Sequence, residues 1–568
     1  MQPNEPGNDV TGWEKAVMVV AGAAVLGALT LLAGGALAAA VTGGGWAWPA
    51  PSSAGRVVTG LLTDPAHPAQ AYPPAQAARV PGPITFWAIT ATLAAIIVAT
   101  GVMAFIAVLQ RRTPDGMASR RQVRVARRAA VGDARPFATY RGADVVARAE
   151  DSAVVIAPSR AGKTTSLAAP LVVDALGPVV ATSTKVDLLH LTAAARSERG
   201  RVWVWDADRI SDWPDLARWD VVAGCADVRE AAGRARAMVA ARPLGHARST
   251  DFFAATSETV LRCLLHAAAL AGGSMREVMA WSRDFSLDEP YAVLRDHPSA
   301  ATGWFDDLRK YCRAGAPETI SSTDMSLGLV LGCLADPRVL DLVCPEPGRG
   351  LALDALLTPG EDGPGTLYVL CEGGVAGSTA PLATALISAV VRAGRRVSQS
   401  RADGRLDPAC TFVLDEAPNV APVPEMPMLL ADGGGRGMPA WLFAQSFGQL
   451  RARWGRDNAD TMWGSSAIKL VLGGASETDD LERLSKLLGE RRVRRVSTSR
   501  SQGSNWSRQV SSERERVLPV EAIRQLPVGQ GLLLYRSLPP AVVDLTPWWR
   551  RRDAAAFRLG ADTGRATT

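Results

Sequence analysis

Histidine, lysine and paired cysteine are all scarce in this chain of 568 residues. It has five histidines and seven cysteines, and the cysteines form no C-x-x-C pair and have no histidine cluster near them. This pattern excludes a zinc-finger type of metal site and the disulfide framework of a small secreted domain. We therefore expect reduced, buried thiols in a cytosolic domain at Cys225, Cys263, Cys312, Cys333, Cys344, Cys371 and Cys410.

Lysine makes up only six of the 62 basic residues, and arginine makes up the rest. The net charge is +6 and the isoelectric point lies near 9.1. An excess of arginine suits bidentate contacts with phosphate, although a genome of high GC content that favours Ala, Arg and Gly codons accounts for most of the composition. A chain of this length exceeds what one hydrophobic core usually supports, so two or three folded units are expected.

Charge is also missing from two long stretches near the N-terminus. The stretch from Ala16 to Val41 has 26 residues and that from Pro83 to Leu109 has 27, all uncharged. Each exceeds the roughly 20 residues that cross a bilayer core, so both are predicted to be transmembrane helices. A cleaved signal peptide is the alternative for the first stretch, but three acids precede it with Lys15 as the only base, and the run is too long.

A cluster of arginines follows the second apolar stretch. The positive-inside rule places such a cluster in the cytoplasm, and with two spans the N-terminus then lies inside as well. The segment from Thr42 to Gly82, rich in Pro, Ala and Gly, is predicted to be a small external loop. Topology alone explains the cluster, but contact with anionic lipid or nucleic acid stays open. Its members are Arg111, Arg112, Arg120, Arg121, Arg124, Arg127 and Arg128.

The apolar run from Ala153 to Ile156 predicts a buried strand, and it feeds the loop APSRAGKTT at 157–165. In a P-loop, backbone N–H groups face the phosphates, the lysine reaches the β and γ oxygens and the threonine hydroxyl holds Mg²⁺, beside the positive end of a helix dipole. Ala157 stands where the pattern has glycine, and it fits if its φ stays negative. An ordinary strand-to-helix turn is the alternative. The predicted residues for binding ATP are Ser159, Arg160, Ala161, Gly162, Lys163, Thr164 and Thr165.

Strand-like and helix-like segments alternate beyond about residue 134, which indicates an α/β fold with a mainly parallel sheet. From 211 to 345 strand signals fade and apolar residues repeat at helical spacing, as over Phe252 to Leu270, so an inserted all-α domain is expected. The segment 497–512, dense in Ser, Arg, Gln and Gly, is predicted to be a mobile polar loop. Strands are predicted at 153–156, 179–182, 201–206, 366–370, 411–414, 440–443 and 468–472.

The predicted domains follow from these patterns. A membrane anchor covers 1–112, with its helices at about 16–41 and 83–109. The nucleotide-binding domain has two parts, 134–210 and 346–550, which flank the all-α domain at 211–345. A tail is expected at 551–568.

Two acids close the predicted strand at 411–414. There Asp415 is predicted to anchor Mg²⁺, and Glu416 to polarise an attacking water as general base. Further on, Arg436 lies in a glycine-rich turn and is a candidate arginine finger toward a neighbour's γ-phosphate, although a solvated arginine fits equally well. Gln445 ends the next strand, where it is placed to sense the γ-phosphate or to orient water.

In their order and spacing these features resemble the coupling proteins of type IV secretion and conjugative DNA transfer, a family described as having a TraM-recognition domain. The resemblance covers most of the chain. It rests on the two apolar spans, APSRAGKTTSLAAP, VVATSTKVDLL with Lys185 and Asp187, the helix around Asp251-Phe252-Phe253, FVLDEAPNV, GRGMPAWLFAQSFGQLRARWG, LERLSKLLG, Leu526-Pro527-Val528-Gly529 and Leu538-Pro539-Pro540.

The resemblance implies a hexameric RecA-like ATPase at the inner membrane, with most of the chain in the cytoplasm. Its all-α domain would receive substrate and pass a relaxase-bound single strand of DNA toward the components of a secretion channel. Matched by position, Lys163 and Thr164 take the phosphate-loop roles, Asp415 the metal role, Glu416 the water role and Gln445 the sensor role, while Arg436 falls near the family's finger.

Two other functions stay open. One is a pump for double-stranded DNA of the FtsK kind, although such pumps usually have more spans and a DNA-reading C-terminal domain, whereas this chain ends soon after Pro540. The other is a docking receptor whose nucleotide site is only structural. Ala157 is its main support, and the intact Lys163, Thr164, Asp415 and Glu416 argue against it.

Overall fold

The computed structural model describes residues 12–111, 116–129, 134–241, 250–373, 378–500 and 506–557. The chain divides into two compact units, Met1–Thr113 and Pro114–Thr568. Each unit has a hydrophobic core of its own.

Four helices form the N-terminal unit: α1 (Gly12–Val41), α2 (Pro51–Thr63), α3 (Pro74–Ala77) and α4 (Pro83–Arg111). The long helices α1 and α4 pack together, and Gly34 permits the contact, since a Cβ there would lie 2.5 Å from the Thr90 hydroxyl oxygen. The spans Val20–Val41 and Pro83–Met103 have mean hydropathies of 2.1 and 2.0. Both are thus long and apolar enough to cross a membrane.

The predicted external loop at 42–82 is partly helical. It contains α2, α3 and a 3₁₀ turn over Pro68–Ala71. Proline opens all three elements, at the one helical position where its missing N–H costs nothing. Val57 and Leu61 of α2 are buried with Tyr72 and Phe86, so this segment folds around a small apolar core.

In the described residues of the second unit, thirteen strands form one large sheet and one hairpin. The large sheet has the order β2-β1-β13-β12-β9-β3-β8-β7-β4-β6-β5, and β10 pairs only with β11. The strands are β1 (Arg135–Tyr140), β2 (Ala143–Ala147), β3 (Ala153–Ile156), β4 (Val179–Ser183), β5 (Val202–Asp206), β6 (Thr366–Leu370), β7 (Thr411–Leu414), β8 (Ala440–Ala444), β9 (Ile468–Leu472), β10 (Glu490–Arg500), β11 (Trp506–Arg516), β12 (Gln530–Tyr535) and β13 (Ala541–Asp544).

Seven neighbouring strands, from β9 to β5 in the sheet order, are parallel. The next four, β12, β13, β1 and β2, are antiparallel. Every residue of β3, β4, β6, β7 and β8 is buried, because helices cover both faces of a parallel sheet and such strands become continuous apolar runs. The sequence predicted all seven parallel strands for this reason.

Helices surround this sheet. Three precede β5 along the chain: α5 (Arg120–Ala129), α6 (Ala169–Asp174) and α7 (Asp187–Ser197). Between β5 and β6 come α8 (Val228–Ala240), α9 (Thr250–Leu270), α10 (Met275–Arg283), α11 (Glu289–Asp296), α12 (Trp304–Cys312), α13 (Pro317–Leu331), α14 (Pro337–Val343) and α15 (Leu353–Leu357). The last group is α16 (Ala380–Ser400), α17 (Ala417–Val420), α18 (Met426–Asp432), α19 (Phe447–Trp454), α20 (Arg456–Ser465), α21 (Thr478–Leu487) and α22 (Val520–Arg524).

The helices α8 to α14 fall within the expected all-α region. Their buried residues, such as Leu264 and Met238, belong to the same continuous core as Val154 and Leu442 of the sheet. The boundaries of a separate all-α domain at 211–345 therefore stay a prediction. The cysteines of the chain are free thiols as predicted: all seven are unpaired, and all but Cys344 are buried.

Two expectations about polar segments were wrong. Residues 497–500 and 506–512 lie in the strands β10 and β11, not in a mobile loop, and 501–505 fall outside the described residues. The strands pair with each other alone, so neither shows the apolar alternation that reveals a strand packed on a core. The start of the expected tail is packed as well: Arg551 pairs with Asp174 at 2.6 Å, and Phe557 is fully buried. Residues 558–568 lie outside the described part.

Candidate functional site

The site lies at the carboxyl ends of β3, β8 and β7. These three strands are neighbours in that order, so the loop after β3, Gln445 after β8 and the acids after β7 all emerge at one edge of the sheet. Ligands bind at this edge in open parallel sheets. The strand order thus brings together motifs that are about 250 residues apart in the sequence.

The loop after β3 has the curled backbone of a phosphate cradle. The Ala157 N–H donates to the Ala444 carbonyl at 2.8 Å, which extends the pairing of β3 with β8, and Ala157 is not among the described residues with positive φ. Alanine is therefore accommodated at the first position. Arg160 and Gly162 have φ of 63° and 84°, and such left-handed residues turn successive N–H groups toward a common point.

The helix after the loop begins irregularly. Residues Thr164–Ala168 form a π-type turn, and α6 follows with Pro170 in its first turn. Proline has no N–H to donate to the Ser166 carbonyl, so an ordinary α-helical turn would lack a bond here. The helix geometry thus changes at the turn that leads into Pro170.

Lys163 lies between the two acids that follow β7. Its Nζ is 3.2 Å from Asp415 Oδ1 and makes a close ion pair with Glu416 Oε1. The side chains are 12%, 5% and 9% exposed, so water screens these pairs poorly and they are strong. The lysine is therefore held by carboxylates at the place where a nucleotide phosphate would compete for it.

Glu416 is held in one orientation by its neighbours. The Gln445 side-chain amide donates to both carboxylate oxygens, at 3.1 and 3.0 Å, and the Asn419 amide donates at 3.4 Å. The backbone of Glu416 has φ of 53°. A left-handed glutamate costs about 1–3 kcal/mol and is typical of functional sites, and this conformation turns the carboxylate toward Lys163.

Asp415 is the more buried of the two acids. Burial raises its pKa above the ordinary aspartate value, and the Lys163 ammonium partly offsets this shift. The Thr182 hydroxyl fixes its backbone by donating to the Asp415 carbonyl at 2.8 Å, and the Thr164 hydroxyl donates to Oδ2 at 3.4 Å. Oδ1 is buried and accepts no hydrogen bond, although the ammonium lies within ion-pair distance. An oxygen with this unused capacity is suited to a cation.

A cavity of about 1080 Å³ opens in front of these side chains. Of the predicted nucleotide-binding residues all but Ala161 line it, as do Asp415 and Glu416. Lys185 and Asp187, which belong to the string VVATSTKVDLL noted above, line it too. Gln445 borders a separate cavity of about 230 Å³ that shares Ser159 with the first.

The far wall of the cavity was missing from the sequence prediction. It consists of 527–530 before and within β12, and of 544–547, Trp549 and Arg550 after β13. Trp549 is 49% exposed and presents the one indole of this wall. A signal was present, since Leu526 to Gly529 belongs to the strings that carry the family resemblance, but nothing local in it indicates nucleotide.

Arg436 lies apart from this cavity within the same protomer. It does not line the cavity, and its Nε is 2.5 Å from Asp432 Oδ2, one turn earlier. Its side chain is 27% exposed. The structure therefore brings Lys163, Thr164, Asp415, Glu416 and Gln445 together and leaves Arg436 outside.

Two family models match the second unit. The model described as "Type IV secretory system Conjugative DNA transfer" matches residues 114–282, and "TraM recognition site of TraD and TraG" matches 409–528. The first match contains the phosphate loop and the second contains both acids and Gln445.

Curated relatives agree with these matches. The conjugal transfer protein TraG of Agrobacterium fabrum strain C58 is 23% identical over 414 residues, which cover 71% of this chain and 61% of TraG. A TraG protein of Rhizobium radiobacter is 28% identical over 159 residues, 27% of this chain and 24% of its own length. The chain therefore spans about three fifths of the first relative and about a quarter of the second.

Solved structures give the fold. The bacterial conjugative coupling protein TrwB, in its unbound monoclinic form, aligns with a TM-score of 0.53 and 21% identity over 74% of this chain and 90% of TrwB. TrwB in complex with the ATP analogue ADPNP aligns with a TM-score of 0.53 and 20% identity over 76% and 93%. The RecA-type α/β fold is thereby confirmed, and over the two matched regions the chain is similar to the coupling proteins of conjugative type IV secretion.

Proposed function

We propose that this protein is a membrane-anchored ATPase that recruits DNA, or a relaxase bound to a single DNA strand, and moves it to a type IV secretion channel. One observation carries the proposal: Lys163, Thr164, Asp415 and Glu416 converge on one wall of a cavity large enough for a nucleotide. The family supplies the cargo and the channel. A homo-hexamer, single-stranded DNA and the channel components are proposed as partners on the same ground.

ATP and Mg²⁺ fit the residues present. Related structures were solved with ADPNP and with ADP and Mg²⁺. In this chain the loop N–H groups and Lys163 would hold the phosphates, and Thr164 and Asp415 would hold Mg²⁺, which keeps several waters and takes oxygen ligands from one or two side chains and from phosphates. The buried Asp415 Oδ1, which accepts no hydrogen bond, supports this role. When bound, Mg²⁺ neutralises charge that develops on the phosphates.

Hydrolysis requires that the ion pairs of Lys163 rearrange. The ammonium of Lys163 is shared by Asp415 and Glu416. Binding of a triphosphate offers it stronger oxygen partners, so Lys163 turns to the phosphates and leaves Glu416 with the amides of Gln445 and Asn419. The released carboxylate then accepts a proton from the attacking water, as a general base. Gln445, bonded to both oxygens of Glu416, reports the presence of phosphate through this carboxylate.

The membrane orientation follows from charge. Arginines cluster just after the second apolar helix, and Arg127 of α5 pairs with Asp144 of β2 at 3.0 Å. We propose that the two apolar helices anchor the chain in the inner membrane with both the N-terminus and the large unit in the cytoplasm.

The full chain in lipid nanodiscs provides the test of this function. We expect ATP hydrolysis in the presence of Mg²⁺, and a higher rate when single-stranded DNA is added. Release of phosphate, measured with and without DNA, checks both statements. A protein that binds ATP without any turnover under either condition would contradict the proposal and favour the docking receptor, whereas turnover stimulated by duplex DNA alone would favour a pump of the FtsK kind.

Arg436 is proposed to complete the site of a neighbouring subunit. The ion pair with Asp432 is partly exposed, and such pairs contribute only about 0–1 kcal/mol, so its release for a phosphate costs little. Co-expressed Lys163→Ala and Arg436→Ala subunits should then regain activity that each lacks alone. In a head-to-tail ring mixed one to one, about a quarter of the interfaces combine an intact lysine with an intact arginine.

A matched mixture controls this experiment. Lys163 and Glu416 belong to the same pocket of one protomer, so Lys163→Ala mixed with Glu416→Gln restores no complete site and should stay inactive. Phosphate release by both mixtures, at several subunit ratios, gives the comparison. If the Arg436→Ala mixture recovers no more activity than the control at any ratio, Arg436 does not act across an interface.

A further inference from the structure

The hairpin of β10 and β11 stands apart from the large sheet. Its strands have 11 residues each and pair from Glu490 with Arg516 to Arg500 with Trp506. At about 3.4 Å per residue the ribbon is roughly 37 Å long. The base is closed by the Val517 N–H, which donates to the Gly489 carbonyl at 3.0 Å.

The register sorts its residues onto two faces, because directly paired residues share a face and successive residues alternate. One face carries the pairs Glu490 with Arg516, Arg492 with Arg514 and position 494 with Ser512. We call this the arginine face. Its described side chains include three arginines, Arg492, Arg514 and Arg516, and a single glutamate. The opposite face carries Arg491, Arg495, Glu513 and Glu515.

The opposite face is balanced in charge. Arg495 Nε is 3.2 Å from Glu513 Oε2, and its Nη2 is 2.9 Å from Glu515 Oε1. With Arg491, this face has two arginines and two glutamates. Its described charges therefore sum to zero, and it attracts an external anion less than the arginine face does.

The arginine face is not balanced. Arg492 and Arg514 are both exposed and lie directly opposite each other, an arrangement of like charges that destabilises a strand pair. Within the described part of the chain neither one forms an ion pair. Charged residues that only protect the edges of a ribbon from pairing with other strands need not lie on one face. The repulsion between Arg492 and Arg514 therefore indicates a ligand of opposite charge.

We infer that the arginine face of this hairpin binds the phosphate backbone of DNA. Guanidinium groups match phosphate oxygens with a bidentate fork. Positions on one face of a strand recur about every 6.8 Å, so Arg514 and Arg516, with Arg492 opposite Arg514, present successive cations to a linear polyanion. The inference rests on the proposed function, which supplies DNA as the cargo.

The test removes two charges from this face. The double variant Arg492→Gln/Arg514→Gln, in the full chain in nanodiscs of neutral lipid, is compared with the unmodified chain by the anisotropy of a labelled oligothymidine at several salt concentrations. We expect roughly tenfold weaker binding and a slope of log K against log salt that is smaller by about 1.4, since each phosphate contact on a single strand contributes about 0.7.

A second double variant carries the same change of charge outside the hairpin. Arg276→Gln/Arg295→Gln removes two exposed arginines from α10 and α11 and should leave both affinity and slope nearly unchanged. Turnover without DNA should be the same in all three proteins, which also verifies that they fold. If DNA binds the hairpin variant with the unmodified affinity and slope, the inference is wrong while the proposed function stands. If DNA binds none of the proteins, both fail.

Hydrogen exchange of the hairpin separates DNA from a lipid surface. Addition of the oligonucleotide should slow exchange over 490–500 and 506–516 in neutral nanodiscs. Protection that appears in nanodiscs containing phosphatidylserine without DNA, and no protection by DNA, would assign the arginine face to the membrane instead and overturn the inference.

Discussion

Replacing Glu416 by glutamine should lower the rate of ATP hydrolysis by about 10²- to 10⁴-fold, the range that a general base contributes. Glutamine keeps the size of the side chain and its bonds to neighbouring amides, but it cannot accept the proton of water. Affinity for ATP should meanwhile stay the same or rise. Glu416 forms an ion pair with Lys163, and a neutral glutamine would leave the ammonium free to contact the phosphates.

Lys163→Ala has the opposite expected effect on binding. It removes the cation that the phosphates recruit, so both affinity and turnover should fall. The two variants thus separate the role of the lysine from that of the acid, even though they contact each other. Titration with a fluorescent ATP analogue and single-turnover hydrolysis measure the two quantities independently.

An exposed acid gives the control for this pair. Glu482 lies in α21 and forms only a surface pair with Lys486 at 3.2 Å, so Glu482→Gln removes the same charge outside the cavity and should leave turnover unchanged. Turnover of Glu416→Gln within about threefold of the unmodified protein would contradict the assignment of Glu416 as general base, since general bases contribute at least about a hundredfold.

Sequence reasoning found the half of the site that is encoded locally. The phosphate loop and the pair Asp415-Glu416 each follow a short apolar strand, and the residue types and their spacing carry the chemistry. Parallel strands β3, β8 and β7 bring their carboxyl ends to one edge whatever the intervening length, so the convergence of Lys163 with Glu416 could also be expected once the sheet was assumed.

The other half depends on long-range pairing that no local pattern reveals. The wall formed by 527–530 and by Trp549 reaches the cavity because β12 joins β9 and β13 joins β12, all antiparallel. These strands come from the C-terminal part of the chain, far in sequence from the phosphate loop. Similarly, the arginine face appears only when the register of β10 with β11 is known, because in the sequence its arginines alternate with those of the balanced face.

A buried arginine bonds to groups at the amino ends of β4 and β6, the end of the sheet opposite the cavity. Arg196, near the end of α7, is fully buried and donates from Nε to the Thr366 hydroxyl at 2.7 Å. Its two terminal nitrogens donate to the carbonyls of Ala175 at 2.6 Å and Gly177 at 2.9 Å. Burial lowers its pKa to about 10, so the group is still charged at neutral pH. No carboxylate in the described part of the chain pairs with it.

Arg196→Met should therefore lower the free energy of unfolding by about 3–5 kcal/mol, because buried acceptors left without a donor cost about 1–3 kcal/mol each. Removal of an unpaired buried charge opposes this loss, but the charge is already solvated by three good acceptors, so the lost bonds dominate. Arg196→Lys keeps the charge without the planar fork, so its free energy of unfolding should lie between those of Arg196→Met and the unmodified chain.

Arg199→Ala is the control for this substitution. Arg199 donates to the same Ala175 carbonyl at 2.9 Å, but it is exposed and Arg196 still serves that acceptor, so its loss should cost less than about 1 kcal/mol. Urea unfolding of the full chain in mild detergent, followed by tryptophan fluorescence, measures all four proteins. Equal midpoints for Arg196→Met and the unmodified chain would mean that the peptide carbonyls at this edge find water or other donors, and that Arg196 is not what joins α7 to the strands β4 and β6.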